Sequence, residues 1–192
     1  MHKFSKYLWA QNNIANNLQS KQSLERLIQS LWKLVKEPSS IIFTIGNGGS
    51  ASTAEHFSAD LSQMEKRTGH SIRSFCLNSQ IAISSAFAND FDYSSVIKKQ
   101  LSAFREVNFA LVAFSVSGNS QNILEAVNFT LELSKDVHCF TGFDGGKLKS
   151  FKKANIIHFP DKNLDYGMAE NLHLTSCHFV IDSLIEKLRE FI

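Results

Sequence analysis

Apolar residues recur at helical spacing at Leu24, Leu27, Ile28, Leu31, Leu34 and Val35, which marks one face of a helix. Leu8, Ile14 and Leu18 form a weaker stripe before them. Residues 1–37 contain no Gly or Pro. The pattern predicts two helices, with a break near Ser20–Gln22 and a stop at Glu37-Pro38. Ile41-Ile42-Phe43-Thr44-Ile45 then reads as a short buried strand, followed by a glycine turn and a helix over Ala51–Met64. The plan recurs. Ile72–Leu77 is a weak strand candidate and Ile81–Phe87 a short helix. Asn89-Asp90-Phe91 opens a loop that leads to a further helix through Phe104. Phe109–Phe114 is a second buried strand, followed by a helix over Asn122–Leu133. Val137–Thr141 and Asn155–Phe159 are further strands. A loop through Tyr166-Gly167 leads to a long helix over Ala169–Phe191. Strands alternating with helices predict an α/β fold: a three-layer, doubly wound parallel sheet with N-terminal helices.

Composition narrows the class. The 192 residues are 43% hydrophobic, with 16 Phe, enough for one domain with a sizeable core. Twenty Lys+Arg against 18 Asp+Glu give a net charge of +2, which makes no case for nucleic acid or an anionic membrane as partner. Cys76, Cys139 and Cys177 are widely spaced and form no CxxC. They read as buried free thiols in a reducing compartment. The N-terminus lacks the apolar core of a secretory signal, and no apolar run reaches the roughly 18 residues of a membrane span. The expectation is a soluble cytoplasmic protein.

Two strand ends carry small, hydroxyl-rich loops that open helices: Gly46-Asn47-Gly48-Gly49-Ser50-Ala51-Ser52 and Ser115-Val116-Ser117-Gly118-Asn119-Ser120. Glycine lets backbone N–H groups approach an oxyanion, the helix N-terminus adds partial positive charge, and serine hydroxyls donate further bonds. Two such loops at neighbouring strand ends suit a phosphate. The first loop lacks the Lys-Ser/Thr ending of a P-loop and the spacing of a dinucleotide fingerprint. Glu65, at about the right distance for a ribose contact, falls on or just past a helix rather than at a strand end.

His56 and Asp60 stand at i, i+4 on one helix face, a spacing that suits a metal pair, an acid/base pair or a solvated surface. The final helix carries Glu170, His173 and His178. Glu170 and His178 lie about 80° apart around its axis. His178 falls within an apolar stretch, where a satisfied core histidine is the alternative to a ligand.

These segments together resemble the SIS (sugar isomerase) domain family, and within it the bacterial phosphoheptose isomerases. The resemblance spans nearly the whole chain, residues 1–192 as a single SIS domain with 1–37 as an N-terminal helical segment. It is carried by GNGGSAS with HFSADL, ANDFDY, SVSGNSQNILEA, TGFDGGKL and ENLHLTSCHFVID. The resemblance implies an aldose–ketose isomerase that converts sedoheptulose 7-phosphate to D-glycero-D-manno-heptose 7-phosphate through an enediol, for lipopolysaccharide or capsule heptose. It implies that Asn47, Gly48, Ser50, Asp90, Ser115, Ser117, Ser120 and Glu170 bind substrate and phosphate. It further implies that Asp60 and His178 form the catalytic pair, and that His56, Asp60, Glu170 and His178 hold one zinc ion per subunit. A homotetramer with intersubunit sites is implied too.

The chain departs from the family pattern in places. Asp60 stands where the family has glutamate, and Glu170 where it has glutamine. Met64 replaces a basic residue and Val116 a threonine. Around Tyr166-Gly167-Met168 the usual polar-basic lead-in is missing. The shortened carboxylate leaves an alternative open: a SIS-domain module that binds a sugar phosphate or regulates a partner, like the relative that associates with the replication initiator.

Overall fold

The runs at Ile41–Ile45 (β1) and Phe109–Phe114 (β3) form strands in which every residue is buried. Such strands, apolar on both faces, belong at the centre of a parallel sheet with helices on either side. The computed structural model, which describes residues 3–16, 18–160 and 165–191, places them there. Ser74–Cys76 (β2), Asp136–Thr141 (β4) and Asn155–His158 (β5) complete a five-stranded sheet in the order β2-β1-β3-β4-β5, parallel at every pairing. This is the flavodoxin-like order, with the chain reversing direction of travel between β1 and β3.

The helices are Lys3–Ala15 (α1), Leu18–Val35 (α2), Gly49–Thr68 (α3), Ile81–Asp90 (α4), Val96–Ser102 (α5), Gln121–Glu132 (α6) and Tyr166–Phe191 (α7). Side chains alternate along each strand, so the sheet feeds two cores. Ile42, Val112 and Phe114 meet α2, α3 and α7 through Leu27, Phe57 and Val180. Phe43 and Leu111 meet α5 and α6 through Leu101, Ile123 and Val127. Burying one such side chain contributes about 1.5–3 kcal/mol. Cys76, Cys139 and Cys177 are free and buried, and burial pushes the Cys139 thiol up to about 12. No helix among the described residues is long and apolar enough to cross a membrane.

Several boundaries differ from the sequence reading. The first two helices part before Leu18, not at Ser20–Gln22. Ser20 lies buried within α2, where its hydroxyl donates to the His158 carbonyl, so a polar residue that reads as a break is satisfied across the fold. Leu8 is exposed, while the side chains of Ile14 and Leu18 lie outside the described ones. The strand expected over 72–77 shrinks to three residues. The helix expected over 51–64 runs on to Thr68 and stops at Gly69 in the left-handed conformation. Asn89 and Asp90 end α4 rather than opening a loop. Tyr166 and Gly167 are helical, because Asp165 caps α7 by accepting from the Met168 N–H at 2.7 Å.

Candidate active site

Ligands of an open parallel sheet bind at the strand carboxyl ends where the order reverses. Here that point lies between β1 and β3, and the two serine/glycine loops leave those strands side by side. A cleft of about 300 Å³ opens between them, lined by Asn47, Gly48, Ser50, Ser115, Ser117 and Ser120, with Tyr166 at its rim. The N-termini of α3 and α6 both follow from these loops, so two positive helix ends serve one cavity. Ser115 Oγ is buried and has no hydrogen-bond partner among the described residues.

Backbone packing shapes the second loop. Gly118 sits at φ 64°, and a β-carbon there would overlap the Gly145 carbonyl; one at Gly146 would overlap the Ser117 carbonyl. The loops after β3 and β4 are thus pressed together, backbone on backbone. Leu148 N–H donates to the Gly118 carbonyl at 3.0 Å and Lys147 N–H to Asn119 Oδ1 at 3.0 Å. Gly118→Ala is expected to cost roughly 2–3 kcal/mol, from left-handed strain plus loop displacement. Thermal unfolding should show the midpoint down by about 4–12 °C; an unchanged midpoint would contradict this close approach.

Farther along α3 stand His56 and Asp60, one helical turn apart. They face His178 on α7. His56 Nε2 lies 3.0 Å from His178 Nε2 and 3.2 Å from Asp60 Oδ2, and His178 Nε2 lies 3.8 Å from Asp60 Oδ2. All three ligand atoms fall within 4.8 Å of one another. In a tetrahedral zinc site with bonds of about 2.0–2.1 Å, neighbouring ligand atoms are about 3.3 Å apart. Two imidazole nitrogens and a carboxylate oxygen at these separations fit a divalent ion of that kind. The two imidazoles are half-exposed and Asp60 partly so, which leaves the group open to a ligand. A groove of about 660 Å³ between α3 and α7 adjoins Asp60 and His178, with Met64, Ile181 and Ile185 among its walls.

The fold does not gather every residue singled out from the sequence. Glu170 stands outside the His56–Asp60–His178 cluster. Its carboxylate lies over Gly49 at the start of α3, where only glycine leaves it room. Asp90 is exposed at the end of α4, with Asn89 Nδ2 at 3.1 Å from its Oδ1, and it does not line the cleft between the two loops.

Other residues support the first loop without any spacing signal. Asn78, just past β2, brackets Gly46. Its Oδ1 accepts from the Gly46 N–H at 2.9 Å and its Nδ2 donates to the Gly46 carbonyl at 2.7 Å. Asn47 and Asn122 exchange amide hydrogen bonds at 2.8 and 2.9 Å, and the Tyr93 hydroxyl donates to Asn47 Oδ1 at 2.9 Å. With Oδ1 accepting twice, Asn47 is held so that the free capacity of its amide is an N–H donor. Asparagines after strands are common turn residues, so nothing in the sequence marks these two for the task.

The chain resembles known proteins along most of its length. It is 34% identical over 164 residues to the phosphoheptose isomerase of Helicobacter pylori (strain ATCC 700392 / 26695), covering 85% of this chain and 81% of that one. It is 32% identical over 160 residues to the phosphoheptose isomerase of Helicobacter hepaticus, covering 81% and 76%. The structure of phosphoheptose isomerase GmhA from Neisseria gonorrhoeae superposes with a TM-score of 0.83 at 25% identity, covering 94% of each chain. The family model described as the SIS domain matches residues 6–142, most of the sheet with both serine/glycine loops, and the chain accordingly belongs to the SIS domain family.

Proposed function

We propose that this SIS-domain chain is a phosphoheptose isomerase that interconverts sedoheptulose 7-phosphate and D-glycero-D-manno-heptose 7-phosphate. The observation that carries the reading is the carboxylate–imidazole cluster formed where α3, which begins at the cleft between the loops, meets α7. The names of the relatives support the same reaction.

Aldose–ketose isomerisation removes a proton from the carbon beside a carbonyl and returns one to its neighbour, while protons shift between the two oxygens. An enediol lies between. In this reading the serine hydroxyls and the N–H groups opening α3 and α6 hold the phosphate and fix the far end of the sugar. Asp60 and His178 then supply the base and the acid, since both present heteroatoms to the same small space. Glu170, over the start of α3, acts on the substrate side, and Asp90 contacts the sugar from the end of α4.

His56, Asp60 and His178 would hold one zinc ion per chain. Three protein ligands leave a further position open, as in catalytic zinc sites. Such an ion, when bound, supplies a Lewis acid for the substrate oxygens. The chain also works as a homotetramer in this reading. Every residue of α4 is at least partly exposed, although Ile81 and Ile83 are large and apolar. A second copy of the chain is the natural cover for that surface.

Turnover of sedoheptulose 7-phosphate tests the proposal, measured on zinc-equilibrated protein with metal content determined in parallel. Isomerisation with about one zinc per chain is expected. Well-folded protein that holds zinc yet leaves this substrate unchanged would overturn the assignment. The departure at Asp60 gives the non-catalytic alternative its footing, and phosphate binding without turnover would favour it.

A further inference from the structure

We propose that Tyr166 is a hydrogen-bond donor to the substrate phosphate, and that Phe143 is the positioning residue that holds its ring in place. This rests on the phosphate reading of the cleft between the two serine/glycine loops, and adds to it a contact from α7.

The lining of that cleft limits how it can meet an anion. None of the described residues around it is Lys, Arg or His. A phosphate there would be met by neutral donors: serine hydroxyls, backbone N–H groups and the Asn47 amide. All of these come from the two loops. Tyr166 also lines the cleft, but it stands at the start of α7 and is 59% exposed. Its hydroxyl makes no hydrogen bond with another described residue, and its ring contact with Phe143 is the interaction it has. A phenol donates one hydrogen bond, so Tyr166 brings to the cleft a donor from outside both loops.

Backbone and ring of the tyrosine are each held. Asp165 caps the first turn of α7 by accepting from the Met168 N–H at 2.7 Å. The Tyr166 ring meets Phe143 at right angles, with centroids 5.0 Å apart and planes at 89°, an arrangement that ring quadrupoles favour. Phe143 sits at φ 48°, a left-handed conformation that a residue with a β-carbon adopts only at a cost. Such strain persists where the surroundings over-determine it. Here the Gly142 N–H donates to the Val116 carbonyl and the Gly145 N–H to the Gly142 carbonyl, both at 2.9 Å, and the Phe143 side chain packs against the core. Val116 lies between Ser115 and Ser117. The turn that carries Phe143 is therefore bonded to the loop that lines the cleft, and Phe143 sets Tyr166 in register with that loop.

Inorganic phosphate titrated calorimetrically into the full chain tests this without depending on turnover or on the sugar. About one phosphate per chain is expected, weakened by Ser117→Ala, which locates it in the cleft. Tyr166→Phe removes only the hydroxyl, at an exposed position, and should weaken phosphate about tenfold. Phe143→Leu keeps an apolar side chain but removes the ring, and should weaken it about threefold. The double variant should bind no more than about twofold weaker than Tyr166→Phe, because Phe143 acts through the hydroxyl already removed. With sedoheptulose 7-phosphate, Tyr166→Phe should raise KM about tenfold and leave kcat within about twofold. Unchanged phosphate affinity in Tyr166→Phe overturns the proposal even where isomerisation is normal. A Phe143→Leu loss as large in the Tyr166→Phe background as in the wild type overturns the positioning role. The expected pattern in protein that leaves sedoheptulose 7-phosphate unchanged upholds the proposal and overturns the isomerase reading alone. A wild type that binds no phosphate overturns the phosphate reading of the cleft and this proposal with it.

Discussion

Asp60→Asn should lower the turnover of sedoheptulose 7-phosphate by about 10²–10⁴-fold, the range for losing a positioned acid or base, with KM shifted only a few-fold. The substitution preserves size and shape but removes the charge. An amide can neither take a proton from carbon nor serve as an anionic metal ligand. Its neighbours are two imidazole nitrogens, at 3.2 and 3.8 Å from Oδ2, so the loss falls at the centre of the cluster. Bound zinc should fall with the rate. The side chain is partly exposed, and the fold should survive with its thermal midpoint little changed. Asp60→Glu is the informative companion. It extends the carboxylate by about 1.5 Å, more than the roughly 0.5 Å tolerance of a well-held catalytic group, but it keeps the charge. It should retain zinc and lose less activity than Asp60→Asn. Asn at wild-type turnover would remove Asp60 from the mechanism.

Stability should fall as the pH drops from about 6.5 toward 4, through two fully buried histidines. Burial holds both His138 and His173 down at about 4 in the folded protein. For His138 the Asp136 carboxylate partly opposes the shift. For His173 the Thr141 backbone opposes it and His158 adds to it. In the unfolded chain each titrates near the ordinary value of about 6.5. Above that pH both states are neutral and the full stability is present. Between 6.5 and 4 the unfolded chain takes up protons that the folded chain refuses. Each histidine then removes up to about 1.4 kcal/mol per pH unit. His173 sits buried among the rings of Phe114, Phe140 and Phe159. Burial also lowers His158; denaturant unfolding at several pH values measures the slope, and His173→Leu should reduce it by roughly a third to a half. An unchanged slope in that variant would mean that His173 is already protonated in the fold.

Much of this architecture is legible in the sequence because it rests on local signals. β1 and β3 are continuous apolar runs bounded by turn residues, and both are found as read. The stripe from Leu24 to Val35 finds α2, though not where it begins: Ser20 is satisfied by a carbonyl on β5, a partner no local window contains. α7 starts early for a similar reason, with Asp165 supplying a cap that Gly167 obscures. The two serine/glycine loops are legible as neighbours at strand ends because both are short runs of small residues between a buried strand and a helix, and they line one cleft. His56 and Asp60 are legible as a pair through helical spacing. Their meeting with His178 depends on how α3 packs against α7, and only the resemblance anticipates it. Glu170 shows the limit of that route, since its carboxylate lies over Gly49 and apart from the three residues it was grouped with. Asn78, Tyr93 and Asn122 act through tertiary hydrogen bonds, which leave no periodicity to read.

The switch between β1 and β3 also has a kinetic consequence. The two loops proposed to cradle the phosphate follow strands whose paired residues, Ile41 and Phe109, lie far apart in the chain. Closing so long a loop costs entropy before any contact repays it. Both loops line the one cleft, so an anion there would meet its full set of donors only after the central pair of the sheet has docked. Substrate therefore acts as a selective brake on unfolding. It binds the finished sheet and not the open chain, and raises apparent stability in proportion to the logarithm of its concentration. Cells rich in the sugar phosphate would hold more of this protein in its folded form, and those starved of it would lose the protein faster to proteolysis.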